Sequence, residues 1–280
     1  MEETKQHTPA FDENKILIVG AGNMGGTYAR SLVASQIVSI NDLQILERQP
    51  TLCSNFMEAG YEHVHTQPGD YISNVGWIIL AVKPQDCHTL FKHLRPYVHE
   101  GQFVLTIMAG INIATIQKEL GLKKVVRAMP NLPAGIGMGM TAFTISQEVG
   151  KFGLLAAQNL LHSTGKSLYL EDEEKINAAT AISGSGPAFV FYYMDSMIES
   201  ALKLGFTPSQ AKLLVEQTFW GSVNLLNRNG STPKEWIQRV SSKGGTTEAA
   251  MRVYEEIKLK EAADKGIKAA FNRAVELSKQ

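Results

Sequence analysis

The run KILIVG, Lys15 to Gly20, is followed at once by AGNMG, so that Gly20, Gly22 and Gly25 stand in G-x-G-x-x-G spacing. Few patterns leave a chain less choice. A short apolar run ending in glycine reads as a strand buried on both faces. GAGNMGGTYARSLVASQ then carries the apolar spacing of a helix, and LQILER (43–48) reads as a second strand. In such a strand–turn–helix unit the first glycine permits the tight turn. The second leaves room for a pyrophosphate, and the third lets helix and strand approach closely. The helix start turns N–H groups and a partial positive charge toward the phosphates. Glycine-rich turns are common, but here both neighbouring elements fit, and a dinucleotide-binding unit is expected.

The pattern continues along the chain. SNFMEAGY (54–61) reads as a second helix and GWIILAV (76–82) as a third strand. A helix around Cys87 to Leu94, the strand QFVLTIM (102–108), and two further strands in KKVVRAMPN (123–131) and GMTAFTIS (139–146) follow. Strands alternating with helices predict an α/β fold with a doubly wound parallel sheet. After Tyr169 the character changes. EDEEKINAATAISGSGPAFVFYYMDSMIESALKLG shows no strand alternation, Thr207-Pro208 has the form of a helix cap with proline at the first helical position, and the last thirty residues are helical throughout. The expected organisation is a loose tail over residues 1–14, a Rossmann-type dinucleotide-binding domain over 15–170, and an all-helical domain over 171–280.

Lys+Arg and Asp+Glu both number 27 in 280 residues. A chain so balanced has no global field to recruit nucleic acid or an anionic membrane, and small-molecule chemistry is the better fit. The polar, acidic start lacks the basic and apolar regions of a signal peptide, and no segment approaches the roughly 18 apolar residues a membrane helix needs. A cytoplasmic protein, without nucleic-acid or membrane partners, is therefore expected. Cys53 and Cys87 stand in no CxxC or Cys/His spacing, so they read as free thiols and no metal site is expected. His63, His65, His88, His93, His99 and His162 are scattered over loops and helix faces, and none is assigned to catalysis.

The cofactor end leaves a choice open. Glu47 and Arg48 close the second strand about 20 residues past the glycines. Glu47 suits the free ribose of NAD, Arg48 suits a 2′-phosphate, and either could face solvent. Lys83, in AVKP (81–84), falls where carboxyl ends of strands line the crevice, or is simply an exposed loop lysine. In the helical half, SGSGP (183–187) removes bulk for close packing or for a flat ligand. SSKGGTT (241–247) precedes the last long helix. It is either a turn with a threonine cap, or a nest of backbone N–H groups suited to a carboxylate.

VGAGNMGG, AVKPQD, VVRAMPNLPAG, AISGSGPAFVF and GGTTEAAMRVYEE occur in one order from Lys15 to the C-terminus. In this set the chain resembles the pyrroline-5-carboxylate reductases. The resemblance implies a Rossmann domain followed by a helical dimerisation domain, a homodimer, and assembly into a higher homo-oligomer. It implies reduction of (S)-1-pyrroline-5-carboxylate to L-proline, the last step of proline biosynthesis, with NADPH, or NADH, as cofactor. By resemblance, Val19, Gly20, Ala21, Gly22, Asn23, Met24 and Gly25, then Arg48, then Ala81, Val82, Lys83 and Pro84, then Ile107, Met108 and Ala109 would line the cofactor. Ser242, Gly245, Thr246 and Thr247 would hold the substrate, with Thr247 the catalytic candidate at the ring nitrogen. The chain departs from the family pattern at Lys243, where proline usually precedes the two glycines, at Glu47, which is often neutral, and near Gln67-Pro68, where many members have an asparagine.

Two alternatives stand beside this expectation. One is another imine or β-hydroxyacid reductase of similar build; the hydroxyacid enzymes place a catalytic lysine in a G-x-x-x-K helix pattern, which neither Lys175 nor Lys212 matches. The other is a dinucleotide-binding regulator without turnover, which would have no use for a second anion site at Thr246-Thr247.

Overall fold

Apolar residues fill both faces of the first strand, and this dictates layers on both sides of a sheet. In the computed structural model, which describes residues 12–279, β1 (Asp12–Val19) alternates Ile16 and Ile18 into one core and Leu17 and Val19 into the other. The helix α1 (Asn23–Ala34) then covers the first face with Tyr28, Ala29 and Leu32. Next come β2 (Leu43–Leu46), α2 (Pro50–Glu58), β3 (Val64–His65), β4 (Val75–Leu80) and α3 (Cys87–Leu94). Beyond these lie β5 (Phe103–Thr106), α4 (Ile113–Leu120), β6 (Lys124–Met129), β7 (Gly139–Ile145), α5 (Gly150–His162) and β8 (Gly165–Tyr169). Both α3 and α4 press Phe91, Leu94, Ile116 and Leu120 into the second core.

The eight strands lie in the order β3-β2-β1-β4-β5-β6-β7-β8. All neighbours are parallel except β6 and β7. The sheet is thus parallel in its main part, as expected, with one reversal. Residues 130–138 are too few for a crossover between parallel strands, which takes a dozen residues or more. They turn through a short 3-10 stretch, Leu132–Ile136, and send β7 back beside β6. The buried Arg127 ties β6 to its neighbours: Nη1 donates to Glu173 Oε1 at 2.9 Å and Nη2 to Asn177 Oδ1 at 3.1 Å. The same Glu173 oxygen accepts the Ile113 N–H that opens α4.

From β8 onward the chain is helical: α6 (Lys175–Ala179), a π turn at Thr180–Gly184, α7 (Gly186–Lys203), α8 (Pro208–Asn229), α9 (Pro233–Val240), α10 (Thr246–Glu256) and α11 (Leu259–Leu277). Two of these starts are strongly written. Thr207 and Thr232 each cap through a capping box, with Gln210 and Glu235 as the reciprocal partners and proline at the first helical position. The described residues up to Ser185, together with those from Ala270 on, pack as one compact unit, and 186–269 pack as a second. The last turn of α11 belongs to the first unit: a Cβ on Gly110 would come within 2.8 Å of the Leu277 carbonyl oxygen. Of the expected tail over residues 1–14, residues 1–11 lie outside the described residues, and β1 begins at Asp12. Among the described residues no helix is long and apolar enough to cross a membrane.

Candidate active site

The sheet runs β2-β1 in one direction and β4-β5 in the other, so β1 and β4 flank a switch point, where crevices open at carboxyl strand ends. Gly20 N–H donates to the Leu46 carbonyl and Ala81 N–H to that of Val19, both at 2.8 Å, which carries the three strand ends into one rim. Each glycine does a different job there. Gly20 sits at φ +86, and a Cβ on it would meet Val82 Cγ1 at 2.8 Å. A Cβ on Gly25 would overlap the Gly20 carbonyl oxygen, so only glycine lets α1 close on the turn. Beside Gly22 there is nothing within 4 Å of an added Cβ. That open side faces a cleft of about 690 Å³. Gly22 is also the N-cap of α1, which has no side-chain cap and no acidic residue in its first turn. Its leading N–H groups therefore remain for an anionic ligand. The tight turn, the close approach and the open flank are what a dinucleotide's pyrophosphate requires, and the residues present fit it.

Of the residues expected at the cofactor, Val19, Gly20, Gly22, Arg48, Ala81, Val82 and Lys83 line this cleft. Ala21 is buried, and its N–H is taken by Glu47 Oε2 at 2.7 Å. Asn23, Met24 and Gly25 form the first turn of α1, and Pro84 opens the 3-10 turn Pro84–Asp86. Ile107 and Met108 are buried and Ala109 half-buried just after β5, with Ile107 N–H bonded to the Leu80 carbonyl.

Glu47 lines the cleft and is held by the backbone of its own turn. It is 7% exposed, its second oxygen accepts the Gln49 N–H at 2.9 Å, and its carboxylate thereby braces the glycine turn against the start of α2. Beside it, Cys53 donates its thiol to the Glu47 carbonyl at 3.1 Å. Burial, then the Glu47 charge, push that thiol above its ordinary range, and burial chiefly does the same to Cys87. Both cysteines are free and buried, so neither is a poised nucleophile. Arg48 turns outward, with Nη2 2.9 Å from Asp86 Oδ2. Sequence reasoning passed over Asp86, although it ends the quoted AVKPQD. It gave His93 no part in catalysis, and the structure places His93 on the wall of the cleft. Only the fold brings α3 to this rim.

SGSGP resolves in favour of packing for its first residues. The Asn131 amide donates to the Ser183 carbonyl and hydroxyl at 3.2 and 3.3 Å, and accepts the Met140 N–H at 2.8 Å. A Cβ on Gly184 would press Met129 Cε at 3.0 Å. The π turn is thus seated on the end of β6.

In the helical unit, the loop before α10 does not use threonine as its cap. The N-cap is Gly245, with no side-chain cap, and Thr246 and Thr247 are the first two helical residues. Among the described residues neither hydroxyl has a hydrogen-bond partner. Gly244 sits at φ +73, and Gly245 N–H closes on the Ser242 carbonyl at 3.0 Å. A Cβ on Gly245 would come within 2.5 Å of Ser242 Oγ. Lys243 is exposed. One feature was not expected: Gly244 N–H donates to Glu248 Oε2 at 2.6 Å. The loop thus already holds one carboxylate by a backbone N–H.

The fold and the glycine-built cleft define a dinucleotide-dependent oxidoreductase of Rossmann build that carries a helical domain. Residues 15–110 match the family described as NADP oxidoreductase, coenzyme F420-dependent, and residues 173–277 match pyrroline-5-carboxylate reductase dimerisation. The chain is 33% identical over 268 residues to pyrroline-5-carboxylate reductase 2 of Bacillus subtilis, covering 95% of this chain and 96% of that protein. It is 32% identical over 272 residues to the pyrroline-5-carboxylate reductase of Pseudomonas aeruginosa, covering 95% and 97%. The structure of a pyrroline-5-carboxylate reductase from Coxiella burnetii is similar with a TM-score of 0.88 at 31% identity, over 96% of this chain and 100% of that one. The chain belongs to the pyrroline-5-carboxylate reductase family.

Proposed function

We propose that the protein reduces (S)-1-pyrroline-5-carboxylate to L-proline with NADPH, and with NADH as a second donor, as the last step of proline biosynthesis. The observation that carries this reading is the pairing, in one chain, of two features. One is a cleft whose glycines fit a dinucleotide; the other is a glycine-led helix start whose two threonine hydroxyls have no partner.

The residues divide the work by unit. Gly20, Gly22 and the first turn of α1 hold the pyrophosphate, the rim Ala81–Lys83 flanks it, and Arg48 lies at the adenosine-ribose end. Bound NAD(P)H supplies the hydride that turns the ring C=N into C–N. Backbone N–H groups at Gly245–Thr247, with Ser242 and Thr246, hold the substrate carboxylate, because a helix start offers unpaired donors and a partial positive charge. The Thr247 hydroxyl hydrogen-bonds the ring nitrogen. It keeps that nitrogen oriented and relays to it a proton drawn from solvent, which makes the adjacent carbon electrophilic while the hydroxyl itself is restored. Turnover requires donor and acceptor carbons to meet at roughly 3–3.5 Å with water excluded. The protein acts in the cytoplasm as a homodimer through the helical domain, and the dimers assemble further.

The test is oxidation of NADPH, and separately of NADH, by purified protein with and without pyrroline-5-carboxylate. Oxidation that depends on this imine and far exceeds that with other cyclic imines or β-hydroxyacids is expected. Dinucleotide binding without imine-dependent oxidation would leave a regulator instead.

A further inference from the structure

Glu47 is the residue that a Rossmann strand order offers to the adenosine ribose, yet both its oxygens are engaged by the backbone of its own turn, Ala21 N–H and Gln49 N–H. Among the described residues the cleft is lined by two acids, Glu47 and Asp86. Asp86 ends the 3-10 turn Pro84–Asp86 that leads from the β4 rim into α3. Its Oδ2 lies 2.9 Å from Arg48 Nη2, and the two side chains remain 37% and 74% exposed at the cleft. An acid and a base that read opposite features of a ribose are therefore locked to each other. They come from two different strand ends and lie where the sequence left the choice between Glu47 and Arg48 open.

We infer that Asp86, through its ion pair with Arg48, determines the coenzyme choice of this protein. The inference rests on the dinucleotide reading of the cleft. Among the described residues Arg48 is the one arginine lining the cleft, and a guanidinium suits a 2′-phosphate carrying close to two negative charges. Asp86 draws that guanidinium into a carboxylate pair and sets a like charge against an incoming phosphate. Toward an unphosphorylated ribose the same carboxylate is an acceptor for the 2′-hydroxyl. Asp86 therefore holds back NADPH and admits NADH, and Arg48 does the reverse. Glu47, withdrawn into the turn, serves both coenzymes equally.

The experiment uses Asp86→Asn, which keeps the size and one acceptor but removes the charge. Titration calorimetry with adenosine 2′,5′-bisphosphate and with 5′-AMP reads the ribose site without turnover. Asp86→Asn is expected to tighten the bisphosphate roughly three- to fivefold, the scale of an exposed ion pair, and to leave 5′-AMP unchanged or weaker. The ratio of kcat/KM for NADPH over NADH should rise by the same factor. In an Arg48→Ala background the gain should shrink to the relief of direct carboxylate–phosphate repulsion, because the coupling between the two residues is gone. Equal shifts for both nucleotides, a weaker bisphosphate, or the same gain without Arg48 would overturn the inference while leaving the enzyme intact. A wild-type protein that binds neither nucleotide and oxidises neither coenzyme would overturn the dinucleotide reading, and this inference with it.

Discussion

The two compact units bury their apolar residues in opposite ways. In the sheet-bearing unit, β4 buries all six residues, and β1, α1, α3 and α4 close two cores, one on each face. In the helical unit, α7, α9 and α10 bury no residue at all. Tyr192, Leu213 and Trp220 stand 78%, 67% and 56% exposed there. The first unit is complete within one chain, so its cleft is a property of a single copy. The second has helices but no closed core, which is the condition of an element that finishes folding against another surface. Exposed apolar patches of this kind mark interaction sites, and the match of residues 173–277 to a dimerisation family gives the partner as a second copy.

Substitutions in each unit can break this contrast. The largest effect belongs to Gly25→Val in the complete unit, because the added side chain overlaps the Gly20 carbonyl oxygen. A loss of about 3 kcal/mol or more and of dinucleotide binding is expected, read by denaturant unfolding and by calorimetry. A variant of native stability would show that the turn can open at little cost. Next in size is Leu213→Glu with Trp220→Glu in the helical unit. Each such side chain, once covered by a second copy, is worth about 1.5–3 kcal/mol. Sedimentation should therefore find monomers that still bind NADP+, whereas an unchanged oligomer would place the interface elsewhere.

Smaller still is Glu47→Gln, which sets an amide against a backbone N–H and costs about 1–3 kcal/mol of turn stability. NADP+ and NAD+ should weaken by the same factor. Selective loss of NAD+ would mean that Glu47 reads ribose after all. The smallest effect concerns α9. The Thr232 backbone N–H, and then its hydroxyl, hold the Glu235 carboxyl below its ordinary range. A lowered folded-state value means that the cap's contribution is present above the ordinary carboxylate range and fades as pH falls through it. Protection of the amides at the start of α9, measured relative to their intrinsic exchange rates, should fall as pH drops through the lowered Glu235 value, and protection that does not change with pH would remove this cap from the account.

Much of the first unit could be read from sequence because its signals are local and redundant. KILIVG, GWIILAV and QFVLTIM are unbroken apolar runs, and a strand buried on both faces needs nothing else. Elements beside them were missed for physical reasons. β3 is only two residues, Val64 and His65, and exists because β2 offers it an edge. β8, GKSLY, alternates weakly at the outer edge beyond β7. The reversal of β7 was legible in the short link 130–138, but apolar runs carry no direction. At the site, the glycines announced their roles by spacing, while Glu47 announced only its position. Its use as a brace depends on where the Ala21 and Gln49 amides point, which no spacing records. Asp86 and Glu248 were hidden likewise, since each matters through a partner that the fold supplies.

The division of labour between the two units is tested most directly by Thr247→Ala, followed in one preparation by NADP+ titration and by imine-dependent NADPH oxidation. The account predicts an unchanged Kd for NADP+, an unchanged melting temperature, and a kcat/KM for pyrroline-5-carboxylate lowered tenfold or more, on the order of 1.4 kcal/mol. An unchanged kcat/KM in the folded variant would contradict it.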